Sequence, residues 1–182
     1  MKKPGIALGV LLMATAVSAR QPTSQPVCWP LHFGGVTVGV NQDRHVRRLL
    51  GPGLFRRNAG DAGGRLFIDR RGTATLETAN YTDRVVGELT ISAGVAARLT
   101  ASQRRQATSQ FFDPMEGFGN YHALHLGSTR EQVLMNLGPP EGPAQSNDWR
   151  YSRGCTCELP EFFTISFKND RIAKVVFAAP AG

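Results

Sequence analysis

Along most of this chain, apolar residues alternate with polar or small ones in short runs, the period expected of half-buried strands. Val36, Val38 and Val40 alternate with Thr37 and Gly39. Three more runs follow: Leu66 and Ile68; Ala74, Leu76 and Thr78; and Val85, Gly87, Leu89 and Ile91. They predict three strands, separated by Arg71-Gly72 and by a turn over 80–84. Late in the chain Trp149 and Tyr151 open another strand, and Phe163, Ile165 and Phe167 alternate with Thr164 and Ser166. Asn169-Asp170 then predicts a tight hairpin, with 172–177 as the returning strand. The helical period breaks in twice. Val46, Leu49 and Leu50 stand at i, i+3, i+4 and predict a short helix, with Asn41 as N-cap, Gly51 as left-handed C-cap and Pro52 as stop. Val133, Leu134 and Leu137 predict a second, opened by a Ser128-x-x-Glu131 capping box and closed by Gly138-Pro139-Pro140. Between the two halves, 99–107 fits a short basic helix, and 113–119 carries turn chemistry.

The halves echo one another. Gly127-Ser128-Thr129-Arg130-Glu131-Gln132-Val133 leads to Leu137-Gly138-Pro139-Pro140. Gly39 to Val46 leads to Leu50-Gly51-Pro52-Gly53 with one extra residue, and Asp170-Arg171-Ile172 answers Asp83-Arg84-Val85. The expected fold is α+β: two tandem repeats, each a short helical segment packed on a three- to four-stranded antiparallel sheet. The expected divisions are a leader (1–19), an arm (20–30), a first repeat (31–92), a connector (93–121) and a second repeat (122–182). A single helix on so small a sheet buries a thin core, so two repeats packed side by side make physical sense.

The order Leu126-Gly127-x-Thr129-x-x-x-Val133-x-x-x-Leu137-Gly138-Pro139-Pro140, Trp149-x-Tyr151, Phe163-x-Ile165-x-Phe167-x-Asn169-Asp170-x-Ile172 resembles the SmpA/OmlA-type domain. Two such units in tandem resemble the layout of the β-lactamase inhibitor protein-like fold. The match covers the second unit well, the first loosely, and neither arm nor connector. The inhibitor-like resemblance implies a sheet whose open face grips another protein. No inhibitory loop residue matches, so none is carried over. The SmpA/OmlA-type resemblance implies, as the alternative, a structural or assembly protein of the bacterial outer envelope. The lipoprotein of the outer-membrane barrel assembly machine that carries this domain is acylated on its N-terminal cysteine. This chain has its first cysteine at Cys28, beyond the expected cleavage site.

The first nineteen residues read as a signal peptide. Lys2 and Lys3 form the positive n-region, 6–14 an apolar stretch too short to span a bilayer, and Val17-Ser18-Ala19 a small-residue cleavage site. The expected location is periplasmic or secreted. Losing Lys2 and Lys3 lowers the formal charge from +7 to +5. The arginine pairs are scattered, without aromatic interleaving, so nucleic acid is not an expected partner. In an oxidising compartment Cys28 is expected to bridge to Cys155 or Cys157. Those two are i, i+2 neighbours and in a strand would point to opposite faces.

Catalytic and metal chemistry find little support. His122-x-x-His125 and Cys155-x-Cys157 supply four metal-type ligands, the basis of a second alternative, a small metal-binding protein or enzyme. Against it, the histidines sit in an extended segment and the thiols in an oxidising compartment. No Gly-x-Ser-x-Gly or catalytic-cysteine context occurs. Asp83 and Asp170 read as turn formers, not as a carboxylate pair. No catalytic residue, metal or other cofactor is expected. The binding residues follow from strand alternation. With Phe163, Ile165 and Phe167 turned to the helix, Arg150, Phe162, Thr164, Ser166 and Lys174 face outward. The matching outward set in the first unit is Arg65, Phe67, Asp69, Glu88 and Thr90. Exposed aromatics beside arginines are over-represented at protein interfaces. A register error of one residue reverses such an assignment.

Overall fold

A computed structural model describes residues 32–57, 59–60, 62–81, 84–95, 98–118, 123–153 and 161–179. The expected signal peptide and arm, and Cys28, Asp83, His122, Cys155 and Cys157, lie outside the described residues. The fold is α+β, with mostly antiparallel sheets and, among the described residues, three helices. A short hairpin of β1 (His32–Phe33) and β2 (Val36–Thr37) leads into α1 (Asp43–Leu50). Then come β3 (Leu54–Arg56), β4 (Gly64–Ile68), β5 (Ala74–Asn80) and β6 (Val86–Ala93). After α2 (Ala101–Ala107) and α3 (Arg130–Leu137) the chain ends in β7 (Asp148–Arg153), β8 (Glu161–Lys168) and β9 (Arg171–Ala178).

In place of two separate small sheets there is one seven-stranded sheet, in the order β3-β4-β5-β6-β9-β8-β7. The last strand of each run pairs with the last strand of the other, Leu89 opposite Phe177 and Ile91 opposite Val175. This pairing satisfies two edges that would otherwise offer bare backbone to other chains. It also merges two thin cores into one. Val46 and Leu50 of α1 and Val133 of α3 belong to one cluster with Phe67, Leu76, Leu89, Ile91, Phe163, Ile165, Phe167, Val175 and Phe177. Both helices therefore cover the same sheet face. Near the far edge Tyr151 stacks on Phe163 at 5.0 Å and Trp149 meets Phe167 edge-on at 4.7 Å. Arg130 stands 4.4 Å from the Phe167 ring centre and pairs with Asp170 at 2.9 Å.

A second, smaller cluster lies on the opposite side of the sheet, where Leu66 and Ile68 meet Ala107, with Leu54, Val95 and Leu99 against them. Helix α2 supplies this cover over β3 and β4. The stretch expected as a basic helix is therefore also a lid on one end of the sheet.

Helix ends depart from expectation by one residue. The capping box of α3 is Thr129 with Gln132, not Ser128 with Glu131. Ser128 is buried, and its hydroxyl accepts from the His125 N–H at 3.1 Å. Asn41 does not cap α1. Its side-chain oxygen accepts from the Thr37 N–H at 2.6 Å, and Gln42 takes the cap position without a side-chain bond. The first N–H of α1 donates instead to the Arg84 carbonyl at 3.0 Å, which satisfies one orphan donor of the helix start. Gly51 (φ 91°, ψ −172°) and Gly138 (φ 77°, ψ −166°) end their helices at positive φ, but with extended ψ, a region open to glycine alone. Leu134, expected in the apolar stripe, is 40% exposed, and Leu137 is half-buried. Val40, expected in a strand, is 66% exposed. The Asn169-Asp170 hairpin is present, with φ of 52° and 61° at the two turn residues, as a type I′ turn requires.

Thr129→Ala is expected to cost about 1 kcal/mol by chemical denaturation, the usual worth of an N-cap. Glu131→Ala should stay within about 0.5 kcal/mol, as exposed positions without a structural partner do. A larger effect at Glu131 than at Thr129 would return the cap to Ser128-x-x-Glu131.

Candidate functional site

The sheet face opposite α1 and α3 presents three cross-strand rows over β5, β6, β9, β8 and β7. One row reads Thr75, Ser92, Lys174, Ser166, Asp148. The next reads Glu77, Thr90, Val176, Thr164, Arg150, and the third Ala79, Glu88, Ala178, Phe162, Ser152. Five strands at the usual spacing give a face roughly 19 Å wide. Glu88, Arg150 and Lys174 are exposed, and Phe162, Thr164 and Ser166 are half-buried. All six stand where the alternation placed them, because their neighbours Leu89, Ile165 and Val175 are fully buried on the other face.

Three expected members do not belong to this face. Phe67 is 0% exposed, within the main cluster. Arg65 turns to α1. Its Nε donates to Asp43 Oδ1 at 2.6 Å, its Nη2 to Oδ2 at 2.9 Å, and its Nη1 to the Pro52 carbonyl at 2.6 Å. Asp69 is 3% exposed and organises the β4–β5 turn. It accepts from the N–H groups of Arg71, Thr73 and Ala74 and from the Thr73 hydroxyl. The physical reason is that β4 carries three consecutive buried apolar residues, Leu66, Phe67 and Ile68. A strand covered on both sides loses the alternation that fixes its register.

Reasoning from sequence also missed Glu77, Asp148, Ser152, Val176 and Ala178 on the open face. The signal was present for Val176 and Ala178, since they alternate with the buried Val175 and Phe177. The polar contacts leave the middle of the face to hydroxyls and β-branched carbons. The Thr90 hydroxyl donates to Glu88 at 3.1 Å, and Glu77 lies 3.8 Å from Arg56. At the opposite end the Arg150 guanidinium lies over the Phe162 ring at 4.1 Å. Glu141 borders this end and accepts from the Ser152 N–H at 2.6 Å and from the Ser152 hydroxyl. The central row thus runs from a carboxylate, across three β-branched residues, to a stacked arginine. That is a surface with opposite charges at its ends, on which the Thr90 and Ser152 hydroxyls are bonded to carboxylates.

At one margin, the Tyr81 hydroxyl donates to the Ala179 carbonyl. Burial, and then the nearby Glu88 charge, raise the Tyr81 phenol above its ordinary value. Burial likewise raises Tyr151, whose hydroxyl donates to the Gly138 carbonyl at 3.2 Å. His125 Nδ1 lies 2.7 Å from the Leu126 carbonyl. Among the described residues no group of three or more His, Cys, Asp or Glu is placed to hold a metal ion. Among them, too, no helix is long and apolar enough to cross a membrane.

No protein-family model matches the chain, and no curated protein matches it. Among solved structures the chain is similar to a DUF4309 family protein (YjgB) from Bacillus subtilis subsp. subtilis str. 168. The identity is 16% and the TM-score 0.44, over 80% of this chain and 83% of that one.

Proposed function

We propose that this is an exported, non-catalytic protein-binding module built from two tandem repeats, and that it grips its partner with the open sheet face. In its most developed form the partner is an extracellular enzyme that the module inhibits. The observation that carries this reading is the Arg150–Phe162 pair, 4.1 Å apart at one end of a face whose central row is Thr90, Val176 and Thr164. Arginine and aromatic side chains dominate binding energy at interfaces, and a stacked guanidinium is already partly ordered for binding. Export follows from the n-region, apolar stretch and cleavage site of residues 1–19.

The duplication is supported by matched local bonds. The Asp43 N–H donates to the Arg84 carbonyl at 3.0 Å, and the Arg130 N–H to the Asp170 carbonyl at 3.3 Å. The Val86 N–H donates to Asn41 at 2.8 Å, and the Ile172 N–H to Ser128 at 2.8 Å. In each half the start of the helix is tied to the turn before the last strand.

The test is site-specific photo-crosslinking in the producing organism, with the probe at Thr164 on the face or at Lys168 on the exposed β8–β9 turn. One soluble protein cross-linked from Thr164 and not from Lys168 is the expected result. Arg150→Glu should weaken that complex at least about tenfold, the loss of a single hot-spot contact, with little change in melting temperature. Outer-membrane proteins cross-linked from Thr164 would replace this reading with an envelope-assembly role. Binding untouched by Arg150→Glu and Phe162→Ala would remove the open face from the mechanism.

A further inference from the structure

The outward side of α1 carries a crowded cluster of cations. Arg44, Arg47 and Arg48 stand at i, i+3 and i+4, so three guanidinium groups share one surface, and like charges at these spacings destabilise a helix. Arg44 lies in the first turn, at the positive end of the helix dipole, where a cation is unfavourable. None of the three has an ion-pair partner among the described residues. The one acid of the helix, Asp43, is turned inward and held by both arms of the Arg65 fork. The corresponding turns of α3 carry no such cluster, so the fold does not require it.

Two open depressions flank the Arg44–Arg48 ridge. One, of about 600 Å³, is lined by Val40, Asn41, Gln42, Arg44, His45 and Arg48. The other, of about 440 Å³, is lined by Arg44, Arg47, Arg48 and Pro52. Among the described residues no carboxylate lines either. Each depression therefore offers guanidinium forks, the donor geometry that matches phosphate oxygens in pairs. Arg47 and Arg48 lie in the last turn, where the helix dipole favours cations, so the cost falls on Arg44 and on the crowding of like charges around it.

We infer that α1 carries a binding site for a ligand with two or more phosphate groups, which straddles the ridge with one phosphate in each depression. Arg44 and Arg48 are shared between the two phosphates, Arg47 serves the second, and His45 borders the first. The site lies on the opposite side of the sheet from the open face and does not depend on the protein-binding reading.

Calorimetric titration of the purified full chain with sodium tripolyphosphate at low salt tests this. One-to-one binding, at least about tenfold tighter than for orthophosphate and weakening as salt rises, is expected. Arg44→Glu with Arg48→Glu should abolish it, and the milder Arg44→Gln with Arg48→Gln should weaken it with the circular dichroism spectrum unchanged. Arg70→Glu with Arg71→Glu, an equal charge change elsewhere, should retain it. Equal loss in that control, equal affinity for orthophosphate, or no binding of tripolyphosphate would each overturn the site. Vesicles of phosphatidylglycerol, with phosphatidylcholine as blank, distinguish the source. Retention that tripolyphosphate displaces supports the site and assigns its phosphates to lipid head groups. Tripolyphosphate binding without vesicle retention supports the site and assigns them to a soluble ligand.

Discussion

Phe67→Ala is expected to destabilise the protein by about 3–5 kcal/mol, the range for removing a ring from a closed core. Phe67 is fully buried, and it sits opposite Leu76 on β5. An added Cβ on Gly53 would lie 2.6 Å from its ring, so the loop after α1 is already closed over it. Little can collapse into the space a truncation leaves. The comparison that makes the result decisive is Phe162→Ala, whose ring is half-buried on the open face with the Arg150 guanidinium over it. Chemical denaturation should show a smaller loss there, because a half-buried ring gives up less buried area and leaves no closed cavity. Equal losses would mean that the two rings lie in equivalent environments, contrary to the fold.

The contrast between these two phenylalanines shows what alternation could and could not reveal. In β8 the sequence Phe162-Phe163-Thr164-Ile165-Ser166-Phe167 has polar residues at every second position after the first, so one face is apolar and the register is legible. In β4 the sequence Leu66-Phe67-Ile68 is apolar throughout, and the reading hinged on which neighbour covers which side. The answer depends on α2, whose Ala107 meets Leu66 and Ile68 from the connector. A contact that far along the chain leaves no mark on the local period. The turn residue Asp69 was misplaced with the strand, since an acid at a strand end reads as solvated unless its four bonds to the turn are known. The edge pairing of β6 with β9 was hidden for a related reason. Both strands alternate cleanly, and alternation says which face is buried but not which edge is paired. The helix starts were legible to within one residue, because Ser128 and Thr129 are both competent caps, and the Ser128–His125 bond takes Ser128 out of the choice.

Gly87→Ala is expected to cost about 1–3 kcal/mol, the penalty of overpacking, although Gly87 has an ordinary backbone conformation. A Cβ there would lie 2.3 Å from two carbons of the Tyr81 ring. The register shifts by one at this point, Ala79 pairing with Glu88 and Asn80 with Val86, so Gly87 is the extra residue of a bulge. The ring lies against that bulge, and its hydroxyl reaches the Ala179 carbonyl just beyond β9. Tyr81 thus fastens β6 to β9 at the seam between the two halves of the sheet, and a methyl group at residue 87 dislodges it. A double-mutant cycle separates this from a backbone effect. In a Tyr81→Ala background the Gly87→Ala change should cost little, since its clash is gone and alanine restricts the unfolded chain more than glycine does. Ultraviolet titration gives a second readout. Burial and Glu88 raise the Tyr81 phenol, so its contribution to stability is complete below the unfolded value of about 10 and is lost as pH rises through the higher folded value. Stability of the wild-type chain should therefore fall above about pH 10, with Tyr151 acting in the same direction. With Tyr81 dislodged by Gly87→Ala, one phenol should return to ordinary titration near about 10 and that part of the alkaline loss should disappear. Unchanged titration together with an additive cycle would detach Gly87 from Tyr81 and leave the seam to the β6–β9 backbone pairing alone.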